Sequence, residues 1–372
     1  MPLPLLTHGV LILSLLAGGS AAPPRTDDAR TDPPTKATQP PARKAGPRGG
    51  GPETRTPPAT TKDGAIIQWF ATLDRGLAEA KRTGKPILFV SGAPHCAGVS
   101  GMWCPGKVKI DNGWLLQDEV IEASKDFVCI RLTSYESESE AAFVSKLEGN
   151  PVNTVFAILA PDGTPAIAVK GRGRGPGELF ADTADMVKEM GAVAAKYPAR
   201  DKDGTPALPV TLDARLGLAV AAADLQPLVM VVAPDKAARA ALESKVAKLA
   251  WSKEMRGYFA YASSASTADI KLTGGSGIKQ GVLIVEPDMF GASGKVVKEI
   301  AAGDLDTKLA AAMKDALSKH VRASKSREQL KRMALQQGIF FETGIPVSGK
   351  KEAEDREKYK KQLEAAKQQP KG

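Results

Sequence analysis

With 372 residues the chain has room for two ordinary domains and flanking segments. A hydrophobic fraction of 42% and a charged fraction of 25% are those of a soluble globular protein. The net charge of +9 suits loose association with anionic partners, but the basic residues are dispersed among 42 acidic ones and aromatics make up only 5%. That pattern argues against a dedicated nucleic-acid surface, which needs a clustered basic stripe or interleaved stacking aromatics.

In chain order, Leu5, Leu6 and Val10 to Leu16 form a short apolar run that ends in Ala17, Gly18, Gly19, Ser20, Ala21 and Ala22. Small residues after such a run are what a signal peptidase accepts, and the run is too short to span a bilayer as a mature helix. Residues 1–22 therefore read as a signal peptide cut after Ala21 or Ala22, although no Lys or Arg precedes Arg25. The expected location is periplasmic or extracellular, with no membrane span left after cleavage. No cysteine follows the run to carry a lipid anchor. Residues 23–62, rich in Pro, Thr, Arg, Gly and Ala, lack the apolar side chains needed to offset ordering entropy. They read as a semi-extended tether, and a basic tether of this kind is one route to anionic cell-envelope polymers.

Residues 63–200 carry an α/β pattern. Ile66, Trp69, Phe70, Leu73, Leu77 and Ala80 recur at helical spacing, with Gly84 and Pro86 as the stop. Ile87 to Val90 reads as a strand, Leu115 to Ile121 as a helix, and Phe127 to Leu132 as a central strand apolar on both faces. A helix follows at Ala141 to Leu147, then a strand at Thr154 to Leu159, a Pro161-Asp162-Gly163 turn and a hairpin partner at Ala166 to Val169. A long amphipathic helix from Leu179 to Tyr197 closes this region. Gly171-Arg172-Gly173-Arg174-Gly175, just before it, reads as a basic turn, since no strand–glycine-loop–helix fingerprint supports an anion site.

Residues 206–322 repeat the order more weakly. A helix at Leu216 to Leu225 runs into Pro227 and a strand at Leu228 to Val232. Next come a helix at Lys236 to Leu249 and strands at Tyr258 to Ala262, Val282 to Val285 and Lys295 to Val297, the last two joined by a turn from Pro287-Asp288 to Gly294. A helix at Thr307 to His320 ends the region. This second copy has no cysteine. Residues 323–372 form a charged tail with helical stretches at Ser326 to Gln337 and Lys350 to Gln368, read as solvated. Between them Ile339, Phe340, Phe341, Ile345 and Val347 are apolar enough to dock.

The first α/β region resembles the thioredoxin superfamily. The resemblance rests on Leu77-Ala78-Glu79-Ala80-Lys81-Arg82-Thr83-Gly84-Lys85-Pro86 before the first core strand, on Gln117 to Ile121, on Asp126 to Leu132, and on the strand into Ala160-Pro161-Asp162-Gly163. It implies a central mixed sheet flanked by helices, followed here by a second, degenerate domain of the same type. Where the family keeps Cys-x-x-Cys, this chain departs. Three registers are possible: one puts Cys96 at the nucleophile with Val99 as the second position. Another reads Trp103-Cys104-Pro105-Gly106-Lys107 as the motif with Lys107 in place of its second cysteine. The third aligns Ala93-Pro94-His95-Cys96 with Cys-Pro-His-Cys, the nucleophile being lost to Ala93. The family's cis-proline position is occupied by Thr154.

Thiol–disulfide exchange needs an accessible thiolate of low pKa and a resolving thiol. Cys96 and Cys104 share a loop that carries Gly98 and Gly101, so flexibility would let them meet. In one reading Cys96 attacks protein disulfides or thiols, Cys104 resolves, and His95 or a helix N-terminus steadies the thiolate. In the other the pair is a structural staple outside the cytosol, contributing about 2.5 kcal/mol, and the protein is a redox-inert binding scaffold. A lesser alternative is a Cu(I) chaperone using His95, Cys96, Met102 and Cys104 as soft ligands. No other metal site and no cofactor is expected. Cys129, between Val128 and Ile130, reads as a buried small hydrophobe, and Trp103 and Trp114 as packing residues.

Overall fold

The computed structural model describes residues 64–103, 113–148, 154–167, 172–173, 175–201, 203–275, 277–322 and 326–368. The predicted signal peptide and tether, Cys104 to Lys107 of the Trp-Cys-x-x-Lys motif, and Val169, Gly171 and Arg174 lie outside the described residues. All the described residues belong to one unit, Arg55–Gly372.

The chain enters differently from the expected helix. Residues 64–69 are in neither helix nor strand, and Phe70 forms a parallel bridge with Ile130, donating to the Cys129 carbonyl at 2.8 Å and accepting from Arg131 N–H at 2.9 Å. Ile67 and Trp69 pack into one core layer while Phe70 packs into the opposite one. That is the alternation of a strand. Helix α1 (Leu73–Thr83) starts only after this segment, and Gly84, in the left-handed region, ends it.

The first sheet contains β1 (Ile87–Gly92), β4 (Val128–Thr133), β5 (Val155–Leu159) and β6 (Arg172–Gly173), in the order β4-β1-β5-β6. Strands β1 and β4 are parallel, and β5 runs antiparallel to β1 and to β6. A short hairpin of β2 (His95–Cys96) and β3 (Val99–Ser100) follows β1. Helices α2 (Asp118–Ala123), α3 (Glu138–Glu148) and α4 (Thr183–Lys196) complete the layer structure. Every residue of β1 and β5 is buried because both sheet faces are covered. Leu88, Val90, Phe156 and Ile158 face Val120 of α2 and Met186 and Met190 of α4. Ile87, Phe89, Val155 and Ala157 face Ala80 of α1 and Val144 of α3.

The second sheet repeats this plan. Helix α5 (Ala214–Asp224) leads to β7 (Leu228–Val232), α6 (Lys236–Ala250), β8 (Ala260–Ser264), β9 (Lys271–Thr273), β10 (Gly281–Pro287), β11 (Ser293–Ala301) and α7 (Leu305–Lys319). The order is β8-β7-β10-β11-β9, with β7 and β8 parallel and β10 antiparallel to both β7 and β11. Val210 bridges Tyr261 of β8 in parallel, as Phe70 bridges β4. Four strands and a bridging segment thus keep the same order and direction in both sheets. Among the described residues the second half differs in carrying β9 at its edge and in lacking counterparts of the β2–β3 hairpin after β7 and of α3 between β8 and β10. The two halves meet at Gly257, whose N–H donates to Gln68 Oε1 at 3.0 Å and whose carbonyl accepts from Ile66 N–H at 2.9 Å and Gln226 Nε2 at 2.7 Å.

The charged tail is not solvated along its length. Helices α8 (Arg327–Gln337) and α9 (Lys350–Gln368) bury Leu330, Ala334, Tyr359 and Leu363 in a cluster with Val99 and Phe290. Phe341, from the apolar segment between them, packs on Leu216 and Ala219, and its N–H donates to the Gly98 carbonyl at 2.8 Å. Each helix contributes only a narrow apolar stripe, so its overall charge conceals the docking face.

Candidate functional site

The β2–β3 hairpin stands at the C-terminal end of β1, where Cys96 is paired with Val99 and His95 with Ser100. Its turn residues, Ala97 (φ +52°) and Gly98 (φ +89°), both have left-handed backbone, the requirement of a tight two-residue hairpin turn. The loop expected to be flexible is therefore a fixed turn in this part. A Cβ at Gly98 would stand 2.5 Å from Phe340, and one at Gly101 only 2.2 Å from the Met289 carbonyl oxygen. The two glycines admit the tail on one side and the β10–β11 turn on the other, a role in close approach instead of mobility.

Cys96 is 6% exposed. Arg327 Nη2 donates to its Sγ at 2.8 Å from the first turn of α8, a helix capped by Ser326, whose Oγ accepts from Gln329 N–H. Arg327 was not among the sequence-predicted site residues. It lies 231 positions away from Cys96, and its only local signal is the Ser326 cap that precedes it.

His95 is fully buried, with its ring stacked on Phe341 at a centroid distance of 4.8 Å. Arg356 Nη1 lies 3.5 Å from Nδ1. A guanidinium only donates, so Nδ1 is the acceptor and the proton sits on Nε2, which is buried without a partner among the described residues. Burial, reinforced by the charges of Arg356 and Arg215, pushes the His95 pKa down to about 3. The imidazole is neutral and brings no positive charge to a neighbouring thiolate. Its Nδ1 lone pair faces a cation, an arrangement hostile to Cu(I) at that nitrogen. Adjacent strand residues alternate in direction, and His95 and Cys96 accordingly take different partners. Met102 packs at the edge of the tail cluster.

Cys129 lies buried in β4 as expected of a core residue, and its Sγ donates to the Ser124 carbonyl at 3.5 Å. Burial pushes its pKa up to about 12, which keeps it a thiol. Thr154, immediately before β5, is buried with φ +83°. Trp103 donates through Nε1 to Asp224 Oδ1 at 2.7 Å, and the Arg131 guanidinium lies 4.2 Å from its ring centroid while pairing with Asp224. Trp114 packs against the α2–α4 side of the first core. Arg172 and Gly173 of the basic turn form β6 and pair with Ala157 and Phe156.

No protein-family model matches the chain, and no curated protein or solved structure matches it. Among the described residues no group of three or more His, Cys, Asp or Glu side chains is placed to hold a metal ion. Among them, too, no helix is long and apolar enough to cross a membrane.

Proposed function

We propose that this is an exported binding or scaffold protein built from two thioredoxin-like modules, in which the cysteine loop serves structure instead of disulfide exchange. The observation that carries this reading is the burial of Cys96 beneath the chain's own tail. An exchange thiol has to meet a protein disulfide in line with the sulfur–sulfur bond. Cys96 instead sits in a hairpin covered by Phe340 and Tyr359 at Gly98 and by the Met289–Phe290 backbone at Gly101. The strand order common to both sheets supports a thioredoxin-like plan for each module. A neutral His95 and a left-handed Thr154 at the family's proline position weigh against ordinary exchange chemistry.

A second reading draws on the Arg327 contact. A guanidinium on a cysteine sulfur is a recognised way to hold a thiolate, and release of α8 would then expose a reactive Cys96 with Cys104 as resolving thiol. Equilibration of the intact chain in glutathione or dithiol buffers separates the two. The structural reading expects a Cys96–Cys104 potential below about −300 mV, no catalysed insulin reduction and slow native-state reaction of reduced Cys96 with Ellman's reagent. A potential of about −270 to −120 mV together with insulin reduction lost in Cys96→Ser establishes the oxidoreductase instead.

A further inference from the structure

At the opposite end of the first sheet from Cys96, where β1 and β4 begin, a cleft of about 750 Å³ opens between the first sheet's helices and the α6–β8 connection of the second. Its lining carries three cations and three carboxylates, but they are unevenly paired. Arg82 is neutralised by Glu79 at 2.7 Å and Asp201 at 2.6 Å. Lys85 and Arg256 are not: among the described residues neither has a carboxylate within ion-pair distance. Lys85 Nζ donates to the Lys125 carbonyl at 2.8 Å, and Asp126 attracts it only from longer range. Burial, and after it the charge of Arg256, hold the Lys85 pKa below its ordinary value. The cleft thus keeps two repelling cations outside any ion pair, with Asp126 and Glu79 attracting Lys85 only from longer range.

The wall beside these cations is aromatic and rigid. Trp251 is fixed by its Nε1 donating to the Ala207 carbonyl at 3.0 Å and by Phe70, 5.0 Å away between ring centroids. The Arg256 guanidinium lies 5.4 Å from the Trp251 ring centroid, and its five N–H donors make no hydrogen bond among the described residues. Tyr197 closes the rim. A cleft between two packed layers, largely pre-formed, with an apolar wall and convergent donors, has the makings of a small-ligand site.

We infer that this cleft binds a small aromatic oxyanion, its head held between Lys85 and Arg256 and its ring laid along Trp251. The flat wall selects the body and the cation pair selects the head, and either part alone is recognised weakly. The site is independent of the cysteine loop and holds under either reading of it.

Calorimetric titration of the intact chain at low salt tests this, with 2-naphthoate as the probe and 2-naphthamide and inorganic phosphate as the body-only and head-only controls. Saturable 2-naphthoate binding is expected, at least tenfold tighter than either control. Lys85→Met and Arg256→Met should each weaken it severalfold, and the pair together at least tenfold, with the melting temperature retained. Should the double variant not fold, Arg256→Gln alone decides, since that side chain is only partly buried. Absence of saturable 2-naphthoate binding overturns the inference. So does equal affinity for 2-naphthamide, or affinity that survives loss of the cations.

Discussion

Arg327 Nη2 donates to the sulfur of Cys96 across 2.8 Å, joining the first residue of α8 to the hairpin that follows β1. The contact is a charged link between that thiol and the tail, and it lies beside an apolar cluster in which Val99, Phe290, Leu330 and Tyr359 are all buried. Arg327→Met keeps the aliphatic stem and removes the donor. It should lower stability by about 1–3 kcal/mol, the range for a hydrogen bond from a charged group, and speed the native-state labelling of reduced Cys96. Mass spectrometry of labelled protein against time checks both the site and the rate. An unchanged rate would mean that the apolar cluster alone closes the tail.

Glu140 accepts from Leu73 N–H at 3.0 Å, at the start of α1, while its other oxygen is buried without a partner among the described residues. Burial pushes its pKa up to about 7, above the unfolded value, so the native state binds this proton more tightly. Its contribution is then most favourable below about pH 4.5 and declines as pH rises towards about 7. Glu140→Gln retains the acceptor and cannot ionise. It should raise stability at pH 8 by about 1–3 kcal/mol and much less at pH 5. Urea unfolding at the two pH values measures the difference, and equal gains at both would contradict the buried carboxylate.

His320 contacts Glu286 through Nδ1 at 2.7 Å and the Leu225 carbonyl through Nε2 at 2.8 Å. Burial opposes the charged ring, but the two acceptors and the Glu286 charge outweigh it, and the pKa is raised. The stabilisation is fully present below the ordinary histidine pKa and is lost as pH rises through the folded value. NMR titration of the ring should show the raised pKa, and His320→Gln should flatten the stability profile across that interval.

Thr154 holds φ +83°, a region costly for a β-branched residue. Thr154→Gly should stabilise the fold by about 1 kcal/mol by relieving it. Thr154→Pro, which supplies the residue the thioredoxin family carries there, should destabilise by about 3 kcal/mol, because a proline ring fixes φ near −65°. Thermal unfolding of the two variants should give shifts of opposite sign, and shifts of the same sign would contradict a left-handed backbone at Thr154.

Much of the sheet architecture was legible. Ile87 to Val90, Phe127 to Leu132 and Leu228 to Val232 are uninterrupted apolar runs, which is how strands covered on both faces must read. The segment from Ile66 to Phe70 was not, because residues 66, 69, 70 and 73 satisfy a helical period while 67, 69 and 70 sort onto the two faces of a strand. Docking of the tail was hidden by its charge, since Leu330 and Ala334 on α8, and Tyr359 and Leu363 on α9, are few among many exposed neighbours. At the candidate site, the sequence located Cys96 and His95 but could not tell that the imidazole lies under Phe341 and Arg356. Those partners come from a distant segment, and only the folded chain sets them side by side.

That distance has a kinetic side. Loop-closure entropy disfavours contacts between residues far apart in the chain until intervening structure has formed and shortened the effective loop. With 231 positions between Arg327 and Cys96, the tail closes over the hairpin late, after both sheets exist to receive it. A tail that closes late leaves Cys96 open to solvent while the sheets form.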